Sequence, residues 1–152
     1  MNYITDCSPP AYTQIPNSKV DCSTGSSLWL IPPAQSKLTP ILTSLITDTV
    51  PAHLNVEAPR FTPHVTLTSE LPDNIEDPEA FLKSLDLPYA DNVKVRFEGL
   101  DVEEPFFRKC NIRVAKDGVK ELATICRTKV EGDRTKAEEW AESEYRPHES
   151  LL

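Results

Sequence analysis

Two short stretches, Pro63-His64-Val65-Thr66-Leu67 and Pro147-His148-Glu149-Ser150-Leu151, repeat the pattern Pro-His-x-(Thr or Ser)-Leu 84 positions apart. Two of the three histidines in the chain obey it. At strand period each stretch presents an imidazole and a hydroxyl on one face and turns its leucine to the other, toward packing. Two such pairs facing each other meet the needs of phosphodiester hydrolysis. One ring takes the proton from attacking water, the other protonates the departing alkoxide, and the hydroxyls donate to the non-bridging oxygens. An imidazole titrates near pH 6.5 when unperturbed, so one ring is neutral while its partner is protonated near neutral pH. Such a site works without a metal and has a bell-shaped pH profile. A lone histidine on a strand is usually a hydrogen-bonded core or surface group, and it is the duplication that argues for a shared centre. His53, outside the pattern, is read as incidental.

The elements that must hold these residues are legible from apolar periodicity. Leu28-Trp29-Leu30-Ile31, stopped by Pro32-Pro33, predicts a buried strand, and the folded domain is placed at residues 27–152. Leu38, Ile41, Leu42, Leu45 and Ile46 predict a helix from about Lys37 to Asp48, with Ser36 or Thr39 as cap and Pro40 in its first turn. A loop bracketed by Pro51 and Pro59 leads into the alternating strand His64–Thr68. Asp77-Pro78 opens a short helix through Leu85. Val93, Val95 and Phe97 alternate with Lys94, Arg96 and Glu98, and Cys110, Ile112 and Val114 with Lys109, Asn111 and Arg113, giving two strands with one wet and one dry face each. Asp117-Gly118 turns the chain into a helix with Val119, Leu122, Ala123, Cys126 and Val130 on one stripe, ended by Gly132. Residues Arg134–Glu144 read as a solvated helix or ordered loop around Trp140. After Tyr145-Arg146-Pro147 the last strand runs from His148 to Leu152.

Composition narrows the functions open to such a site. The 152 residues, 39% hydrophobic and 26% charged, suit one ordinary globular core. Residues 1–26, rich in Ser, Thr and Pro with only isolated apolar residues, are read as a flexible tail. Sixteen basic against twenty-four acidic residues leave a net charge of -8, which repels long polyanions but leaves room for a small anion held locally. No apolar run approaches the roughly 20 residues that span a bilayer, and the N-terminus lacks a secretory layout. Cys7, Cys22, Cys110 and Cys126 form no C-x-x-C pair, and the histidines form no zinc-ligand cluster. Reduced thiols in a cytoplasmic monomer are expected, and a Cys7–Cys22 bridge would tie little together.

The paired motifs resemble the signatures of the two-histidine (2H) phosphoesterase superfamily. Their surroundings look like its fungal cyclic nucleotide phosphodiesterase branch, through Leu28-Trp29-Leu30-Ile31-Pro32-Pro33, Phe106-Phe107-Arg108-Lys109 and the approach from Trp140 to Pro147. The resemblance spans roughly Leu28 to Leu152. It implies an α+β fold of two pseudo-symmetric lobes, each an antiparallel sheet backed by helices, with one motif per lobe facing a central cleft. It implies no cofactor. Its substrates are small nucleotides, a nucleoside 2′,3′-cyclic phosphate or the 1″,2″-cyclic phosphate of ADP-ribose left by tRNA splicing, opened to a monoester. Carried over, Thr66 and Ser150 donate to the phosphoryl oxygens, His148 activates water and His64 protonates the leaving ribose oxygen, with the two histidine roles open to exchange. Arg60 and Arg146 lie near the motifs, but arginines beside a strand are usually solvated.

This chain departs from the resemblance where such proteins carry an apolar residue between the second His and Ser and continue past the strand. It has Glu149, and it ends at Leu152. By alternation Glu149 shares a face with Leu151, which predicts either a costly carboxylate against the core or a frayed strand. The corresponding expectations are a second lobe incomplete at the C-terminus and, as the alternative to an active enzyme, a catalytically impaired nucleotide-phosphate-binding homologue or truncated product. A partner-binding domain with incidental histidines is the third reading.

Overall fold

A computed structural model describes residues 26–152 apart from 60, 73 and 104–109. The expected N-terminal tail, Cys7, Cys22, Arg60 and the Phe106–Lys109 stretch therefore lie outside the described residues. Five strands, β1 (Ser26–Leu30), β2 (Val65–Leu71), β3 (Phe97–Asp101), β4 (Asn111–Val114) and β5 (His148–Ser150), join in one antiparallel sheet of order β1-β2-β5-β4-β3. The strand that is last in sequence is thus central in space. The helices are α1 (Leu38–Ser44), α2 (Val50–Leu54), α3 (Pro78–Lys83), α4 (Lys120–Glu131) and α5 (Arg134–Ser143). The fold is α+β, a five-stranded sheet backed by helices.

The core forms where the dry face of the sheet meets α4. Leu30, Val65 and Leu67 join Leu122, Ala123 and Cys126 in one buried cluster. The apolar stripe on α4 causes this packing, and Gly132 ends the helix with φ +66°, a left-handed conformation that glycine adopts without a Cβ penalty. Asp133 then caps α5, its carboxylate accepting from the Thr135 and Lys136 amides. Asp77 does the same for α3. Trp140 of α5 is sandwiched in a stack: the Arg127 guanidinium lies 4.9 Å above its ring and Tyr145 packs 5.1 Å away.

Two element boundaries differ from the sequence reading. The first helix does not stop at Asp48: a wide π-type turn over Leu45–Thr49 carries it into α2, which ends at Asn55 with φ 53°. Pro51 is accommodated at this junction, directly after the wider π-type turn, so the helix runs on past it. The third strand pairs only from Phe97, not from Val93, and Val93 is nonetheless buried. Alternation there reports packing of an extended segment, and ladder pairing begins later.

Candidate active site

The register of the sheet assembles the two motifs. Val65 pairs with Glu149, so continuing the antiparallel ladder one residue each way sets His64 opposite Ser150 and Thr66 opposite His148. Residues paired across strands share a face, and alternation turns His64, Thr66, His148 and Ser150 to the side opposite Val65 and Glu149. The two histidines are diagonal neighbours, which on adjacent strands lie roughly 7 to 8 Å apart at Cα. The four residues named from the sequence are thus brought together, and His53 is not: it sits exposed on α2.

The two motifs also match in burial. In each, Pro is buried, His half-buried, the next residue buried, the hydroxyl residue half-buried and Leu buried. The ring geometry matches too. His64 Nδ1 lies 2.7 Å from the Thr62 carbonyl oxygen, and His148 Nδ1 lies 2.8 Å from that of Arg146. A carbonyl oxygen only accepts, so both Nδ1 atoms carry hydrogen and both Nε2 atoms are left for chemistry.

The surroundings of the rings differ. Trp29, paired with Thr66 across β1 and β2, stacks on His64 with ring centroids 3.9 Å apart and planes 19° from parallel. Phe61 meets the same ring edge-on at 6.0 Å. Burial lowers the pKa of His64; the bond to Thr62 partly opposes this, and the neighbouring charge of His148 adds to the lowering. On the other side, Arg113 of β4 pairs with His148, shares its face and reaches Asp101 at 3.7 Å. Trp29 and Arg113 are the site neighbours that the sequence reading did not single out. Alternation had placed Arg113 on the wet side of its strand and Trp29 lay in an apolar run read as a buried strand; what was missing was which strands are neighbours. Arg146 contributes its carbonyl to His148, while its guanidinium turns back to the Tyr145 carbonyl at 3.3 Å.

Glu149 resolves the dilemma posed by its position. The strand end is held, with the Leu151 and Leu152 amides both donating to the Cys110 carbonyl, and Leu151 is fully buried. Glu149 is 1% exposed and accepts from the His64 backbone amide at 3.1 Å. Burial pushes its pKa up to about 8, against the lowering effect of that amide. The carboxyl is neutral through most of the physiological range, which is how a buried acid avoids the cost of an unpaired charge.

Comparisons with known proteins point the same way. Residues 24–152 match the family described as cyclic phosphodiesterase-like protein. Three proteins named 2′,3′-cyclic-nucleotide 3′-phosphodiesterase are similar to the chain. That of Phaeosphaeria nodorum is 45% identical over 84% of this chain and 68% of its own length, and that of Neurospora crassa 38% identical over 84% and 70%. That of Eremothecium gossypii is 31% identical over 83% and 64%. No solved structure matches. With both histidine motifs inside the matched residues, the chain belongs to the cyclic phosphodiesterase-like family and is a hydrolase acting on phosphodiester bonds.

Proposed function

We propose that the protein hydrolyses nucleoside 2′,3′-cyclic phosphates to a phosphomonoester, with the 1″,2″-cyclic phosphate of ADP-ribose as a second substrate, through an acid–base pair of His64 and His148. The observation that carries this reading is the shared sheet face on which both rings turn Nε2 outward beside a hydroxyl. Similarity to the named fungal enzymes supplies the substrate class. The sheet divides into β1–β2 and β3–β4–β5, which meet at the single ladder pair Val65–Glu149. We read these as the two pseudo-symmetric lobes, with the cyclic phosphate lying over the seam.

Water adds to phosphorus while one ribose oxygen departs. The base takes a proton from the water, the acid gives one to the ribose oxygen, and Thr66 and Ser150 donate to the phosphoryl oxygens as charge grows there. The direction of its pKa shift keeps His64 neutral in the ligand-free site, which suits the base, and leaves the acid to His148. That is the exchanged form of the assignment first made from the resemblance. No step needs a metal, so turnover of a nucleoside 2′,3′-cyclic phosphate persists in chelator and collapses in His64→Ala and in His148→Ala. Undiminished turnover in both variants refutes the proposal. Binding of a nucleotide monophosphate by a wild-type chain that turns nothing over selects the alternative, a nucleotide-phosphate-binding homologue.

A further inference from the structure

Only one ladder pair, Val65–Glu149, joins the strand carrying the first motif to the strand carrying the second. A single pair specifies register weakly, yet a slip of one residue turns every side chain to the opposite face. Two side chains from the second segment compensate by reaching the backbone of the first. The Glu149 carboxyl accepts from the His64 amide at 3.1 Å, and the Tyr145 hydroxyl donates to the Thr66 carbonyl at 3.1 Å. The two bonds fall on the two functional residues of the first motif, one on each side of Val65.

Both side chains of this grip are themselves fixed. Tyr145 is 5% exposed and backed by Trp140, which Arg127 covers in turn. Burial holds its phenol above the usual range, so the hydroxyl keeps its hydrogen. Glu149 lies on the dry face beside a cavity of about 170 Å³ whose lining includes Leu30, Pro32, Leu42, Val95 and Phe97, with Ser36 the polar group besides Glu149. No charged side chain lines that cavity, so the carboxyl has the His64 amide as its polar anchor.

We propose that Tyr145 and Glu149 act as a clamp that sets the spacing of the two histidine motifs, Glu149 being a positioning residue that places His64 relative to His148 through the His64 backbone. The inference deepens the acid–base reading and rests on it for its kinetic arm. A loosened clamp leaves both rings present but misplaced, and a misplacement near 1 Å costs up to roughly a hundredfold in rate.

The test uses the full chain with Glu149→Leu, Glu149→Gln and Tyr145→Phe. Leucine fills the apolar site and removes the acceptor, whereas glutamine keeps a carbonyl oxygen there. Thermal unfolding establishes that each variant folds. Two readouts follow: kcat and KM on a nucleoside 2′,3′-cyclic phosphate, and hydrogen exchange at the His64 amide followed by NMR. The expected result is a kcat lowered about ten- to a hundredfold in Glu149→Leu and Tyr145→Phe with KM changed less than about threefold. Exchange at His64 quickens at least about tenfold in Glu149→Leu, and glutamine restores both kcat and protection. Unchanged His64 exchange in a folded Glu149→Leu overturns the clamp, as does a kcat within about twofold of wild type. If exchange follows the expected pattern while wild type shows no turnover, the clamp stands and the hydrolase reading falls.

Discussion

The two histidine motifs are nearly identical as local structure and unlike as environments. Each repeats the same burial sequence and the same Nδ1 tie to a carbonyl two residues back. His64, however, directly precedes a seven-residue strand under a stacked indole, whereas His148 opens a three-residue strand with Arg113 as its cross-strand partner. A shared pattern therefore delivers two geometrically equivalent rings, and the neighbours supplied by other strands make them chemically different. In the proposed mechanism this is how one motif used twice serves as both acid and base.

That comparison breaks first at the rings. His64→Ala and His148→Ala are each expected to lower kcat by about 10² to 10⁴ on a nucleoside 2′,3′-cyclic phosphate, and the double variant to lose little more than either single one. Steady-state kinetics at saturating substrate check it. The hydroxyls come next. Thr66→Val and Ser150→Ala are expected to cost about ten- to a hundredfold each, and a strongly unequal pair of losses shows that the equivalence of the motifs stops at geometry.

Glu149 sharpens the contrast from the stability side. Its folded pKa of about 8 lies above the ordinary carboxylate value of 4.5 in the unfolded chain, so the folded state holds a proton that the unfolded state has released in between. Stability from this source is fully present below about pH 4.5, declines as pH rises toward 8, and is flat beyond. Denaturant titrations at pH 5 and pH 8.5 should show wild type losing on the order of a few kcal/mol more than Glu149→Gln. The smallest effect belongs to Trp29. Trp29→Ala opens His64 to water, relieves the desolvation that lowers its pKa, and moves the acidic limb of kcat/KM to higher pH. A ring-resolved NMR titration of His64 assigns that limb.

Much of this was legible in the sequence, for a physical reason that also marks its edge. Periodicity fixes which face a side chain takes, so the pairs His64–Thr66 and His148–Ser150, the stripe on α4 and its stop at Gly132 were all readable. Periodicity carries no information about which strands are neighbours. Hence Trp29, read as part of a buried strand, and Arg113, read as outward-facing, could not be assigned to the site. Among the described residues the strands join in one sheet with a thin seam at Val65–Glu149, and the two-lobed division expected from the resemblance stays a proposal. Pro51 misled because the π-type turn just ahead of it lets the helix run on past a proline. Glu149 was recognised as a conflict, and its resolution needed a tertiary partner, the His64 amide, 85 residues away in sequence.

The central place of β5 bears on how the molecule is made. β1–β2 and β3–β4 are antiparallel neighbours that can zip up early during synthesis, but each then presents an open edge until residues 148–150 emerge and slot between them. Nascent chains paused before that point carry two bare strand edges, the kind of surface that recruits chaperones or sticks to other chains. The candidate centre is accordingly assembled only once this keystone strand is in place.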